Sequence, residues 1–335
     1  MSKNPASTSL QIMPTSGPYV VAVDAGGTQT RVGCFGLDGA LLARGFGAGG
    51  SPSHNHTAAE NVCSTIAGAV TGGGLAVEDA VAMTAGVAGY PIDGEVDWID
   101  AFFDSCVVTC PRQVVNDAVI AHRGALAGVP GIIVVGGTGS MIAAITADGT
   151  VLESGRFQHY AGGARHLVYD VMHRVLLGDH VDADRKLIET VLAWWGARDV
   201  ADLRRIVLGL GGLDYNDVKR RYGSLAPAIT AAVDSSPLAD AAVTRLAEKT
   251  AAGVRLLAPL VSGASVPVAL AGALATAPGF AERLGRLLTV GSAPAISVAS
   301  AALDPLSGAA LMALQSVGVS VTPQLLSRLQ VSTDR

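Results

Sequence analysis

Apolar and polar positions along this chain follow two rhythms, and the first appears at once. Val20, Val21, Ala22 and Val23 are apolar without a break, the pattern of a central strand buried on both faces, and Asp24 stands at its end. Gly26 and Gly27 follow, and "TQTRVGCFGLDGALLARG" then resumes strand-like alternation with a hairpin signal at "LDG". The same order returns later. Ile132 to Val135 form a second unbroken apolar strand, the chain turns through Gly136, Gly137 and Gly139, and another strand leads to a turn at "ADG". Apolar strand, Gly-Gly-Thr, strand thus occurs twice, and an internal duplication is expected. Between the copies, Thr57 and Glu60 have capping-box spacing at the start of a helix, "VAMTAGVAGYP" reads as a strand, and "RQVVNDAVIAHRGALAG" as a short strand, an Asn-Asp corner and a helix. The rhythm then becomes helical from about residue 165 to 258, before a last strand at "VPVALAG" and a Pro-started helix in "DPLSGAALMALQSVG".

Composition narrows the class. With 335 residues the chain has room for two ordinary domains, and its 41 glycines point to many tight turns between strands and helices. Half the residues are apolar, yet no apolar run approaches the roughly 18 residues of a membrane span. A net charge of −5 gives no basic footprint for nucleic acid, so a small, locally recognised substrate is expected. Cys34, Cys63, Cys106 and Cys110 sit in apolar or strand-like contexts, and reduced thiols in the cytoplasm are expected. Cys106 and Cys110 lack the second pair that a metal site needs. The polar first residues, "MSKNPASTSLQIMPTSG", read as a mobile tail over 1–17.

Each Gly-Gly-Thr corner can be read in two ways. It can be a plain hairpin turn. It can also be a cradle in which glycine lets the backbone approach a large ligand while Thr28 and Thr30, or Thr138 and Ser140, offer hydroxyls beside exposed N–H groups. Two such turns suit one polyphosphate, with Asp24 placed for a hydrated Mg²⁺ rather than for the anion itself.

"DAGGTQTR", "VVNDAVIA", "GGTGS" and "ALAGAL" occur in the order and at about the spacing of the sugar kinases of the actin, Hsp70 and hexokinase superfamily. The branch that this chain resembles is the N-acetylglucosamine and glucosamine kinases, grouped with the BadF/BadG/BcrA/BcrD ATPases, from about Val20 to Gln315. The resemblance implies an α/β fold of two ribonuclease-H-like (actin-like ATPase) domains around an ATP cleft. These would be residues 18–117 and 118–302, with a helix over 303–325 returning to the first. It implies ATP and Mg²⁺ as cofactors, a sugar or polyol acceptor, no nucleic-acid or membrane partner, and a cytoplasmic homodimer.

The site residues carry over one by one. The first phosphate loop falls on Asp24, Gly26, Gly27, Thr28 and Thr30, with Asp24 holding the metal through water; the second falls on Gly137, Thr138, Gly139 and Ser140. Gly272, followed by Ala273, takes the adenosine side, and Asp117 the role of catalytic base, although an N-cap for the helix after it is the alternative. Acceptor contacts fall on Asn55, with His54 and His56 as alternatives, and on Asn116, Asp117, Thr138 and Asp170. The chain departs from the family after the second loop. Where the family has a glycine-tryptophan turn and then Leu-Gly-Asp-Glu-Gly-Ser, this sequence has "AGGARHLVYDVMH", with Ala164 for Trp, Asp170 for Asp, Val171 for Glu and Met172 for Gly. The expected acceptor is glucosamine or a related amino sugar, then a cyclitol or another hexose, with N-acetylglucosamine a poor one; a non-catalytic sugar or nucleotide sensor, or an ATPase activator of the same superfamily, is the alternative.

Overall fold

The computed structural model describes residues 17–92, 96–210, 212, 215–290 and 294–331. All of the expected tail but Gly17 lies outside these residues. Contacts divide the chain into two compact units, one of the chain through Gly89, Val96–Val115 and the chain from Ala309 onward, the other of Tyr90–Glu95 and Asn116–Gly308.

The first unit is a five-stranded sheet of β1 (Tyr19–Ala25), β2 (Gln29–Gly36), β3 (Leu41–Ala48), β4 (Ala80–Val87) and β5 (Arg112–Asn116), whose Asn116 already belongs to the second unit. Helices α1 (Ala58–Gly72) and α2 (Ile99–Phe103) accompany it. Strand order is β3-β2-β1-β4-β5, with β1 antiparallel to β2 and parallel to β4. Thr57 is the N-cap of α1, but its side chain makes no cap hydrogen bond. Its backbone, at φ −99° and ψ 21°, leaves the extended region from which a capping hydroxyl reaches back, so the expected capping box does not form.

The second unit repeats the plan with β6 (Gly131–Gly136), β7 (Ser140–Ile145), β8 (Val151–Glu153), β9 (Ser265–Ala271) and β10 (Ala295–Ala299) in the order β8-β7-β6-β9-β10. Again the central strand is antiparallel to its successor and parallel to the fourth. The two sheets therefore share one topology, which is what the repeated strand, Gly-Gly-Thr, strand pattern encodes. Alternate residues divide the core. Ile132, Val134, Ile142 and Ala144 enter the cluster built with α4 (Ala164–Leu177), while Ile133, Ala143 and Ala269 meet Ala118, Ala121 and Ala125 of α3 (Asp117–Ala125) on the opposite face. A strand covered on both faces has no polar side to show, hence the unbroken apolar run. The helical stretch continues as α5 (Arg185–Trp195), α6 (Val200–Val207), α7 (Tyr215–Ser224), α8 (Ala226–Ala231) and α9 (Pro237–Leu257); α10 (Pro278–Thr289), α11 (Pro305–Ser316) and α12 (Pro323–Val331) complete the order. Among the described residues no helix is long and apolar enough to cross a membrane.

One expectation is corrected. Cys63 on α1 and Cys106 after α2 form a disulfide, with Cα atoms 4.6 Å apart, where reduced thiols were expected. Sequence spacing could not reveal it, because 43 residues separate partners that the fold brings together. The bond also removes Cys106 from any metal set with Cys110. Cys34 is buried and its thiol is pushed up to about 12 by desolvation.

His122 on α3 is fully buried, donating from Nε2 to the Gly131 carbonyl at 3.2 Å. Burial drives its pKa down to about 4, so the folded protein holds the ring neutral. The unfolded chain, with an ordinary histidine near 6.5, takes up the proton first.

Two predictions follow from these groups. Closing a loop of this length is worth about 4 kcal/mol in the chain-entropy picture, so Cys106→Ser should destabilise the protein by roughly 2–4 kcal/mol in denaturant unfolding. Adding a reductant should then shift the wild type and leave the variant unmoved. The stability that neutral His122 supplies is present above pH 6.5 and lost as pH falls toward 4. The advantage of wild type over His122→Gln should therefore shrink by about 3 kcal/mol across that window.

Candidate active site

In the first unit the corner between β1 and β2 is a tight turn in which Gly26 N–H donates to the Gln29 carbonyl at 3.0 Å, leaving Thr28 exposed. The chain leaving β3 holds it. Gly50 and Ser51 N–H both donate to the Gly26 carbonyl, at 3.0 and 3.2 Å, and a Cβ on Gly49 would lie 2.3 Å from the Gly27 carbonyl oxygen. Only glycine fits there. Thr30, expected at the phosphate, is fully buried and donates its hydroxyl to the Ala48 carbonyl at 2.7 Å, which ties β2 to β3. Asp24 is half-buried and ion-paired with Arg31 across the β1–β2 ladder. Among the described residues no three of His, Cys, Asp and Glu gather as metal ligands.

Asn55 lies beside this turn. Its amide donates to the Gly27 carbonyl at 2.9 Å, so its own carbonyl oxygen is the group it can offer a hydroxyl. Ser51 donates to the Ala88 carbonyl at 2.7 Å, so its oxygen accepts a hydrogen bond from Nδ1–H of His54 at 3.1 Å; that ring covers Gly27. His56 is exposed.

The second unit has a matching corner. Gly137 N–H donates to the Gly139 carbonyl at 2.9 Å, and Thr138, Gly139 and Ser140 are exposed. A Cβ on Gly137 or Gly139 would meet nothing within 4 Å, so the space over the turn is open. Here too a glycine pair holds the turn from behind. Ala164 N–H donates to the Gly137 carbonyl at 2.9 Å, and a Cβ on Gly163 would fall 2.3 Å from the Gly139 carbonyl oxygen. "AGGS" at 48–51 and "AGGA" at 161–164 are thus equivalent clasps. Sequence reasoning passed over them although their repetition was visible. Gly272, at φ +86°, brings the exit of β9 against Gly136, where a Cβ would stand 2.5 Å from the carbonyl oxygen.

Asn116 and Asp117 divide their work. Asn116 is buried, caps α3 by accepting from Ala118 N–H at 2.9 Å, and donates to the Tyr90 carbonyl at 2.5 Å, so both ends of its amide are engaged inside the protein. Asp117 begins α3 half-buried, and its carboxylate also accepts from Ala118 N–H at 3.1 Å, a contact additional to the cap that Asn116 already supplies. α3 runs back along the sheet, since its second turn reaches Gly131 at the start of β6; its first turn thus points toward the end that carries the Gly137–Ser140 turn. Asp170, expected at the acceptor, lies in the second turn of α4 and accepts from Arg245 of α9 at 2.8 Å and from Arg174 at 3.4 Å.

Comparison with known proteins fits this geometry. No protein-family model matches the chain. Over 148 residues it is 30% identical to the N-acetylmuramic acid/N-acetylglucosamine kinase of Clostridium acetobutylicum, covering 43% of this chain and 48% of that protein. The chain thus spans about half the length of that curated relative. A candidate N-acetylglucosamine kinase from Chromobacterium violaceum superposes with a TM-score of 0.67 at 27% identity, over 89% of this chain and 99% of the other. A ROK family glucokinase from Streptomyces griseus, solved with glucose and AMPPNP, shares the fold at a TM-score of 0.53 and 20% identity, over 89% and 99% of the two chains.

The contrast between clasp and turn glycines predicts their mutability. Gly163→Ala drives a methyl into a backbone carbonyl and should cost about 1–3 kcal/mol in thermal or denaturant unfolding. Gly139→Ala, with open space around it, should stay within about 0.5 kcal/mol of wild type. The repeated corners, their clasps and the shared sheet order together give this chain the fold of the actin-like ATPase sugar kinases, and part of its length is similar in sequence to kinases of N-acetylated amino sugars.

Proposed function

We propose that this chain is an ATP-dependent kinase that transfers a phosphoryl group to a hydroxyl of a small amino sugar of the glucosamine class. The observation that supports it most is the twofold occurrence of a clasped glycine turn presenting an exposed threonine, together with an aspartate at 117 that capping does not require. When bound, Mg²⁺ and ATP supply the phosphoryl group and the neutralisation of its charge.

The chain's own residues would do the rest. Backbone N–H groups of Gly27 and Gly139, with the hydroxyls of Thr28, Thr138 and Ser140, would donate to phosphate oxygens, while the N–H groups of Gly26 and Gly137 close the two turns. Gly272 keeps the nucleotide side free of a side chain. Asp24, held by Arg31, orients water on the metal rather than binding it directly. Asn55 offers its carbonyl oxygen to an acceptor hydroxyl, and Asp117 takes the proton that the attacking hydroxyl gives up. Asp170 serves instead to join α4 to α9 through Arg245. The relative's name argues for including N-acetylated sugars among the acceptors. A cytoplasmic homodimer belongs to the same reading.

A screen of ATP consumption over glucosamine, its N-acetylated derivatives, neutral hexoses and cyclitols, with and without Mg²⁺, tests the reading. Asp117→Asn should lower kcat by roughly 10²–10⁴-fold while nucleotide binding and folding persist, because Asn116 still caps the helix. Most of the turnover surviving in that variant would mean that the base lies elsewhere.

A further inference from the structure

The first turn of α4 carries charge of the opposite sign to what a neutral sugar needs. Directly after the Gly162–Gly163 clasp stand Ala164 and Arg165, with no carboxylate between the clasp and Asp170. Arg165 lies beside the Gly137–Ser140 turn: a Cβ on Gly223 of α7 would meet Arg165 Cγ at 3.5 Å and Thr138 Cγ2 at 3.8 Å, so both side chains converge on one spot. Among the described residues its guanidinium has no hydrogen-bond or ion-pair partner, and its Nε is buried from solvent with no acceptor. The residue as a whole is half-buried, so its other guanidinium N–H groups are the donors a ligand with acceptors could reach.

The surroundings reinforce the sign. His166 is next along the helix, its Nδ1 accepting from Gly163 N–H at 3.2 Å. Desolvation first, then the positive charges of Arg165 and Lys249, lower its pKa, which locates both cations near the ring. Lys249 is exposed, and its ammonium has no acidic partner among the described residues. Asp170 is already shared between Arg174 and Arg245 and does not compensate them. In a chain of net charge −5 this is a local cationic excess. Arginine and lysine only donate, so the site offers little to a sugar hydroxyl that must itself donate, and much to an oxyanion.

Resting on the kinase reading above, we propose that Arg165 is a specificity residue that binds an acidic substituent of the acceptor, a carboxylate or phosphate ester, so that the preferred acceptor is an acidic amino sugar. The terminal phosphate of the nucleotide has the same oxyanion chemistry. The exposed turn, however, already supplies that phosphate with N–H groups and two hydroxyls, whereas the cations of α4 and α9 are additional to them.

The test uses N-acetylmuramic acid and N-acetylglucosamine, which differ by one acidic substituent. Their binding to the full chain is measured by calorimetry without nucleotide, for wild type, Arg165→Ala, Arg165→Gln and Arg165→Lys, each first shown folded by circular dichroism. KM for each acceptor and for ATP follows. Wild type should bind the acid at least tenfold more tightly than the neutral sugar. Loss of the guanidinium should weaken the acid by about 10- to 100-fold more than the neutral sugar, Lys should restore part of the difference, and KM for ATP should move little. The proposal is overturned if wild type shows no preference for the acid or fails to bind it. It is equally overturned if the Ala and Gln variants raise KM for ATP while the ratio between the two sugars stays put, since the oxyanion then belongs to the nucleotide. Arg165-dependent binding of the acid without any phosphorylation would sink the kinase reading and keep this one. Turnover of the acidic and the neutral sugar alike, with neither depending on Arg165, would do the reverse.

Discussion

The structure depends on a close approach of backbone to backbone that only glycine permits. In each unit a Gly-Gly pair leaving the third strand or the segment after it reaches behind the strand corner, and an N–H bond to the first carbonyl of the turn pins it: Gly50 and Ser51 to Gly26, Ala164 to Gly137. The second contact leaves no room for a methyl at Gly49 or Gly163. Pinned from behind, each turn must present Thr28, or Thr138 and Ser140, outward. A rigid set of donors costs no reorganisation when an anion arrives, which is why this constraint matters to the proposed chemistry as well as to the fold.

The architecture was legible because a strand buried on both faces leaves an unmistakable apolar run, and because that run recurs with the same corner. Val20–Val23 and Ile132–Val135 mark the central strands of two sheets with one topology. What stayed hidden depends on contacts between distant residues or on the fate of single polar groups. Thr30 and Thr28 look alike in sequence, yet one hydroxyl is buried against Ala48 and the other faces solvent. Asn116 and Asp117 are both good N-caps, and the backbone assigns the cap to the first. The Cys63–Cys106 bond joins residues that no spacing rule connects.

Under the acceptor specificity proposed above, charge would set this chain apart from a kinase of neutral sugars. An acidic residue near a sugar accepts from hydroxyls, but Asp170 is held by two arginines and the helix start beside the turn carries Arg165 instead. Without side-chain contacts, Asp170 reads as the expected carboxylate. With them, it is part of the joint between α4 and α9, and the unpartnered group is a cation.

The central claim, that the chain moves a phosphoryl group from ATP to an amino-sugar hydroxyl, is tested most directly by following the group itself. Wild-type protein, Mg²⁺ and ATP labelled with ¹⁸O in the γ-phosphoryl oxygens are incubated with an amino-sugar acceptor, and the products are resolved by mass spectrometry. The account predicts a sugar phosphate monoester carrying three of the labelled oxygens, formed only when acceptor is present. Label appearing solely in inorganic phosphate, at a rate indifferent to any acceptor, would contradict it.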